Sequence, residues 1–189
     1  MGKFFPGLFL GAFLVIVGTL YYLTFGMVDP RADTPVSPVE KAVIATTVDA
    51  SIKHFAPQRI DTVPADDPDM LAAVKLYQSD CAECHGDPGH PESAMADSFK
   101  PRAPQFMKTP PNLLSSQDFY VIKHGLRWSG MPAWNYTLSD HEIWQLAVFL
   151  NQLGNLSPAV KDAWKTASAP SPRSDTVAAV TKRSGKTAR

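Results

Sequence analysis

The chain has 189 residues, 44% of them hydrophobic, with 18 basic and 18 acidic side chains. That length gives room for about one globular domain of ordinary size, and the balanced charge offers no footprint for a nucleic-acid partner. The balance is uneven along the chain: residues 30–160 carry 10 Lys and Arg against 15 Asp and Glu, while residues 161–189 carry 7 against 2.

The first element runs from Phe4 to Phe25, 22 residues without a charge. As a helix it would be roughly 33 Å long, enough to cross a hydrocarbon core of about 30 Å. A cleaved signal peptide is the alternative, but its apolar run is usually about 7 to 15 residues and ends at a small-residue site; no A-x-A-like site follows before Asp29. A transmembrane anchor over residues 1–28 is therefore expected. Tyr21 and Tyr22 suit the membrane interface, and Lys3 places the N-terminus in the cytoplasm by the positive-inside tendency.

Residues 29–68 form the expected linker, opened by D-P-R-A-D-T-P-V-S-P, whose prolines keep the backbone extended. Within it, Val39, Val43, Ile44, Val48, Ile52 and Phe55 recur at near-helical spacing after Pro38, so a short helix is expected there. A compact domain is expected over residues 69–156. It begins with a helix that carries Met70, Val74 and Tyr77 on one face and runs into Cys81. It ends with one capped by Ser139 and Glu142 and stopped at Gly154. A shorter helix is expected at Ser116 to His124. The last segment, 157–189, is basic and poor in large apolar groups after Trp164, which predicts a disordered tail.

The chain's two cysteines stand in C-A-E-C-H, Cys81 to His85. This spacing is a haem c attachment signature: two thiols three positions apart reach the two vinyl groups of one porphyrin edge, while the adjacent imidazole points at the iron. A zinc site would need further ligands from His54, His90, His124 or His141 without a second paired motif, and a redox dithiol would be expected beside a strand-helix-strand pattern, which is missing. An electron-transfer haem needs a sixth ligand. Met95, Met107, Met131 and the histidines are the downstream candidates, and Met131 stands between Gly130, which permits unusual backbone, and Pro132, which fixes the chain after it.

Together, L-Y-Q-S-D-C-A-E-C-H-G, T-P-P-N-L, I-K-H-G, G-M-P-A-W and L-S-D-H-E-I-W-Q-L-A-V-F-L resemble the membrane-anchored bacterial class I c-type cytochromes over roughly Asp69 to Leu153. The resemblance implies a mostly α fold, a cytochrome c-like haem domain behind one N-terminal transmembrane helix. It implies one covalent haem c on Cys81 and Cys84, with His85 and Met131 as axial ligands. It also implies that the first and last domain helices cross with Tyr77 and Trp144 or Phe149 near the crossing, Ala73 standing where many members have Gly. Pro111 looks like the proline whose carbonyl accepts the proximal imidazole proton, with Pro110 and Pro104 competing, and Arg127 and Trp134 look placed to meet a haem propionate. The implied function is one-electron transfer by a non-enzymatic carrier, free or fixed in a larger membrane oxidoreductase. Its partners would be a dehydrogenase, quinol-oxidising complex or terminal oxidase, with the haem domain on the periplasmic side of the inner membrane. A haem enzyme or sensor with an exchangeable sixth ligand is the competing class.

Overall fold

A computed structural model describes residues 4–27, 31, 33–58 and 66–168. The described residues are helical or irregular, with no strand among them. The chain divides into two compact units, residues 1–34 and residues 35–189.

The first unit is built on α1 (Phe4–Thr24). Its residues Phe5–Thr24 are long and apolar enough to cross a membrane, and their side chains are exposed. At 1.5 Å per residue a 21-residue helix is about 31 Å long. Near its end the Thr24 hydroxyl donates back to the Leu20 carbonyl at 2.7 Å, and the Tyr21 ring stacks on Phe25 with centroids 4.4 Å apart.

The second unit contains α2 (Pro38–Phe55), α3 (Asp67–Asp80), α4 (Ala82–His85), α5 (Ser115–His124), α6 (Asp140–Asn151) and α7 (Pro158–Ala167). Local chemistry starts α2, α3, α6 and α7. Ser37, Asp66, Ser139 and Ser157 place side-chain oxygens on backbone N–H groups of the first turn, and proline occupies the opening of α2, α3 and α7. At α6 the box is reciprocal: Ser139 N donates to Glu142 Oε2 at 2.7 Å, and Glu142 N donates to Ser139 Oγ at 3.3 Å.

The core lies where α3 packs on α6 and α7 and α5 packs on α6. Tyr77 of α3 meets Phe149 of α6 at 5.6 Å, with Ala73 fully buried one turn earlier. Trp144 is not in that aromatic group but stacks on Phe119 of α5 at 4.2 Å. Trp164 of α7 completes the group, edge-on to Tyr77 at 5.5 Å and to Phe149 at 5.0 Å.

That contact corrects the expectation of a disordered tail over 157–189 for residues 157–168. Ser157 caps and Pro158 opens a helix whose Val160 and Trp164, four residues apart, are both buried. A low share of large apolar residues sufficed because the two in this helix, Val160 and Trp164, fall on one face. Residues 169–189 lie outside the described residues. The core accordingly reaches beyond 156 at one end, and at the other α2 packs on α5, with Phe55 stacked over Tyr120 at 6.4 Å.

Candidate cofactor site

α3 ends at Asp80, Cys81 turns the chain, and α4 carries Cys84 and His85 before Gly86 ends it at φ +78°. Two anchors hold this turn. The Tyr77 hydroxyl donates to the Gly86 carbonyl at 2.6 Å, and the buried Gln105 donates from Nε2 to the Cys84 carbonyl at 2.9 Å. Cys81, Cys84 and His85 thereby face one cavity of about 570 Å³, within the range of about 300–1,000 Å³ that cofactor sites occupy. Burial pushes the Cys81 thiol up to about 12, with the Asp80 and Cys84 charges adding to it, and burial and Glu83 raise Cys84. Both are thiols at neutral pH, unlike the depressed thiolates of a reactive dithiol.

His85 is oriented from two sides. Its Nδ1 lies 2.9 Å from the Pro104 carbonyl oxygen, and its ring stacks on Phe106 at 4.3 Å and 2° between planes. Burial lowers its pKa, opposed in part by the Pro104 contact. The imidazole is therefore neutral, with Nδ1–H donating to Pro104 and the Nε2 lone pair free to bind a metal.

Met131 lines the same cavity. Its loop is closed on itself by Leu126 N to Met131 O at 3.2 Å and fastened to α5 by Trp134 N to Ile122 O at 3.2 Å, and Met131 N donates to Ser129 Oγ at 3.1 Å. Two glycines make room. Gly125 has φ +65°, and a Cβ there would lie 2.6 Å from Pro132 C and 2.7 Å from Met131 O. At Gly130 the reason differs from the expected backbone freedom: its φ is not left-handed, but a Cβ would sit 2.3 Å from the Phe99 ring. Met95 is exposed, and Met107 packs against the core without lining the cavity.

Residues 68–150 match the family model described as cytochrome C oxidase, cbb3-type, subunit III. This segment is a cytochrome c domain. No curated protein sequence matches the chain. A chain of the Kuenenia stuttgartiensis reducing HAO-like protein complex is similar to it at 17% identity with a TM-score of 0.42, over 62% of this chain and 61% of that one. This chain thus spans less than two thirds of the solved chain's length.

A cytochrome c domain implies haem c, and the residues present fit one: a largely apolar cavity, two thiols on one edge, and a neutral imidazole whose other nitrogen is already engaged. The geometry differs from two expectations. The carbonyl facing His85 belongs to Pro104, not Pro111, because Gln105 and Phe106 bind back to Cys84 and His85 and draw Pro104 to the Nδ1 edge of the ring. Pro111 lines the cavity elsewhere. Trp134 is a cavity residue, but Arg127 is exposed and does not line it; the cation on the wall is Arg102, which pairs with Asp97 at 2.5 Å.

Sequence reasoning missed Arg102, Asp118 and one entire side of the cavity, formed by Ala45, Val48, Asp49 and Ile52 of α2. Arg102 sits between two prolines in an irregular segment with no periodic signal. For α2 the apolar spacing was visible, but nothing local said what it would cover.

Proposed function

We propose that this protein is a membrane-tethered, single-haem electron carrier whose haem c is covalently held by Cys81 and Cys84, with His85 and Met131 as the two axial ligands. The observation that carries this reading is that Met131 and His85, 46 positions apart in sequence, line one cavity whose edge holds both thiols. When bound, the haem supplies a one-electron couple. Pro104 keeps the His85 proton on Nδ1, Gly125 and Ser129 hold the Met131 loop in place, and the apolar wall with Ile52 excludes water. Thioether ligation and burial both favour a high potential.

In this reading α1 spans the inner (cytoplasmic) membrane once, and the haem domain faces the periplasm, as Lys3 and the extracytoplasmic attachment implied by the resemblance suggest. The partners are a dehydrogenase or quinol-oxidising complex on one side and a terminal oxidase or similar acceptor on the other. Trp128 is a natural contact: it is 88% exposed in the loop that carries Met131 and holds φ +59°, and exposed aromatics dominate interface energetics. The family match, described as an oxidase subunit, favours a second reading in which the chain is a fixed subunit of a membrane oxidoreductase; co-purification of a stoichiometric complex after mild detergent extraction would select it. For the haem itself, the test is a reduced-minus-oxidised spectrum with a pyridine haemochrome assay on wild type and Met131→Ala. A c-type spectrum whose sulfur-to-ferric-iron band disappears in the variant supports His85/Met131 ligation. A wild-type spectrum without that band that shifts on carbon monoxide selects the ligand-binding enzyme or sensor.

A further inference from the structure

Asp118 has no part in the haem-holding set, yet its side chain lines the cavity with His85 and Met131. It is 5% exposed, and its Oδ2 is buried without a hydrogen-bond partner. A carboxylate in such a place is costly, so burial pushes its pKa up to about 7.

The ion pairs that the surrounding charged groups form are all with residues other than Asp118. On α2, Asp49 pairs with Lys53 at 2.7 Å. Asp80 closes α3 at the cavity wall, and Arg102 pairs with Asp97. On α6, Asp140 binds Lys123 of α5 at 2.7 Å, His141 lies 3.7 Å from Asp69, and Glu142 accepts from Ser139. His124 stands at the end of α5 with its ring against Tyr120 at 4.9 Å. Among the described residues none of these forms an ion pair with Asp118.

We propose, resting on the haem-carrier reading above, that Asp118 is a proton-binding site coupled to the electron. It takes a proton from water when an electron arrives from the donor protein and returns it when the electron leaves. In the uptake step the carboxylate forms one O–H bond and becomes a neutral acid. The electron resides on the cofactor, and the one bond that breaks is the O–H of the solvent hydronium ion, which gives up the proton and becomes water. The physical cause is charge: the arriving electron makes the cavity one unit more negative, which disfavours a second negative charge on Asp118. Unit charges on the order of 10 Å apart at an effective dielectric of about 20 change a proton affinity by about tenfold. The carrier's midpoint potential should then fall as pH rises across neutrality.

The experiment is a redox titration of the full-length protein in detergent from pH 5 to 9, for wild type, Asp118→Asn and Asp118→Leu. A redox-induced infrared difference spectrum of the wild type accompanies it. Expected are a potential that falls with pH in the wild type, a flat one in either variant, and a protonated carboxyl band that grows on reduction near pH 7. A flat wild-type potential overturns the proposal, as does a slope unchanged in the variants. If neither variant folds, the wild-type infrared spectrum decides, since the absence of that band on reduction also overturns it. A preparation with no haem c spectrum refutes the carrier reading itself, whereas a c-type spectrum with a flat potential refutes only the role of Asp118.

Discussion

Replacing Gly125 by alanine tests whether the Met131 loop is held by backbone sterics. Gly125 closes α5 at φ +65°, and its N–H donates to the Val121 carbonyl at 2.8 Å. At ψ −173° this is a region that almost only glycine enters, and an L-residue there costs about 1–3 kcal/mol. The added Cβ would meet Pro132 C at 2.6 Å and Met131 O at 2.7 Å, which are backbone atoms with no rotamer to change. The segment must therefore move, at the expense of the Leu126 N to Met131 O and Trp134 N to Ile122 O bonds, each worth about 0.5–1.5 kcal/mol net. We expect Gly125→Ala to lose about 2–4 kcal/mol in denaturant unfolding and to weaken the sulfur-to-iron band of the ferric protein. Gly125→Asn should do no better than alanine, because at ψ −173° the backbone lies outside the left-handed helical region that asparagine tolerates and the Cβ is the same. Gly154→Ala, where a Cβ meets nothing within 4 Å, is the neutral control. A Gly125→Ala protein with wild-type stability and an unchanged spectrum would refute the reasoning.

Trp164→Ala should cost about 3–5 kcal/mol, measured by thermal or denaturant unfolding, because the ring fills the gap between Tyr77 and Phe149. Trp164→Phe should cost much less, since Trp164 Nε1 is buried without a partner and its loss removes a desolvation penalty; equal costs would count against this packing. Ile52→Asp places a charge on the α2 wall and should lower the midpoint potential by admitting water, whereas an unchanged potential would show that α2 does not shield the cavity. Asp118 also sets a pH dependence of stability. Its folded pKa, about 7, lies above its ordinary 3.8, so the folded state binds more protons in that window. Stability should fall as pH rises from about 4 to 7 by up to about 4 kcal/mol, and denaturant midpoints of Asp118→Asn should lack this slope.

Some of this protein is legible from its residues without tertiary information. The charge-free run of α1, the Cys81 to His85 spacing and the Ser139/Glu142 box are short-range patterns, each with a local physical cause. The position of Met131 between Gly130 and Pro132 belongs with them, although the reason for Gly130 turned out to be the Phe99 ring rather than its own backbone.

What the tertiary structure decided are the choices among equivalent neighbours. Pro104, Pro110 and Pro111 offer equivalent carbonyl acceptors for the His85 proton, and the binding of Gln105 and Phe106 back to Cys84 and His85 selects the first. Arg127 and Arg102 are both cations near prolines or glycines, and which one meets the cavity depends on how two irregular loops are laid down. The helical order of residues 158–167 comes from two side chains that gain burial only against an aromatic pair 80 or more positions away in one case. Local sequence sets the intrinsic preference of a segment, but the free energy of burying Trp164, Ile52 or Asp118 exists only once distant helices have closed around them.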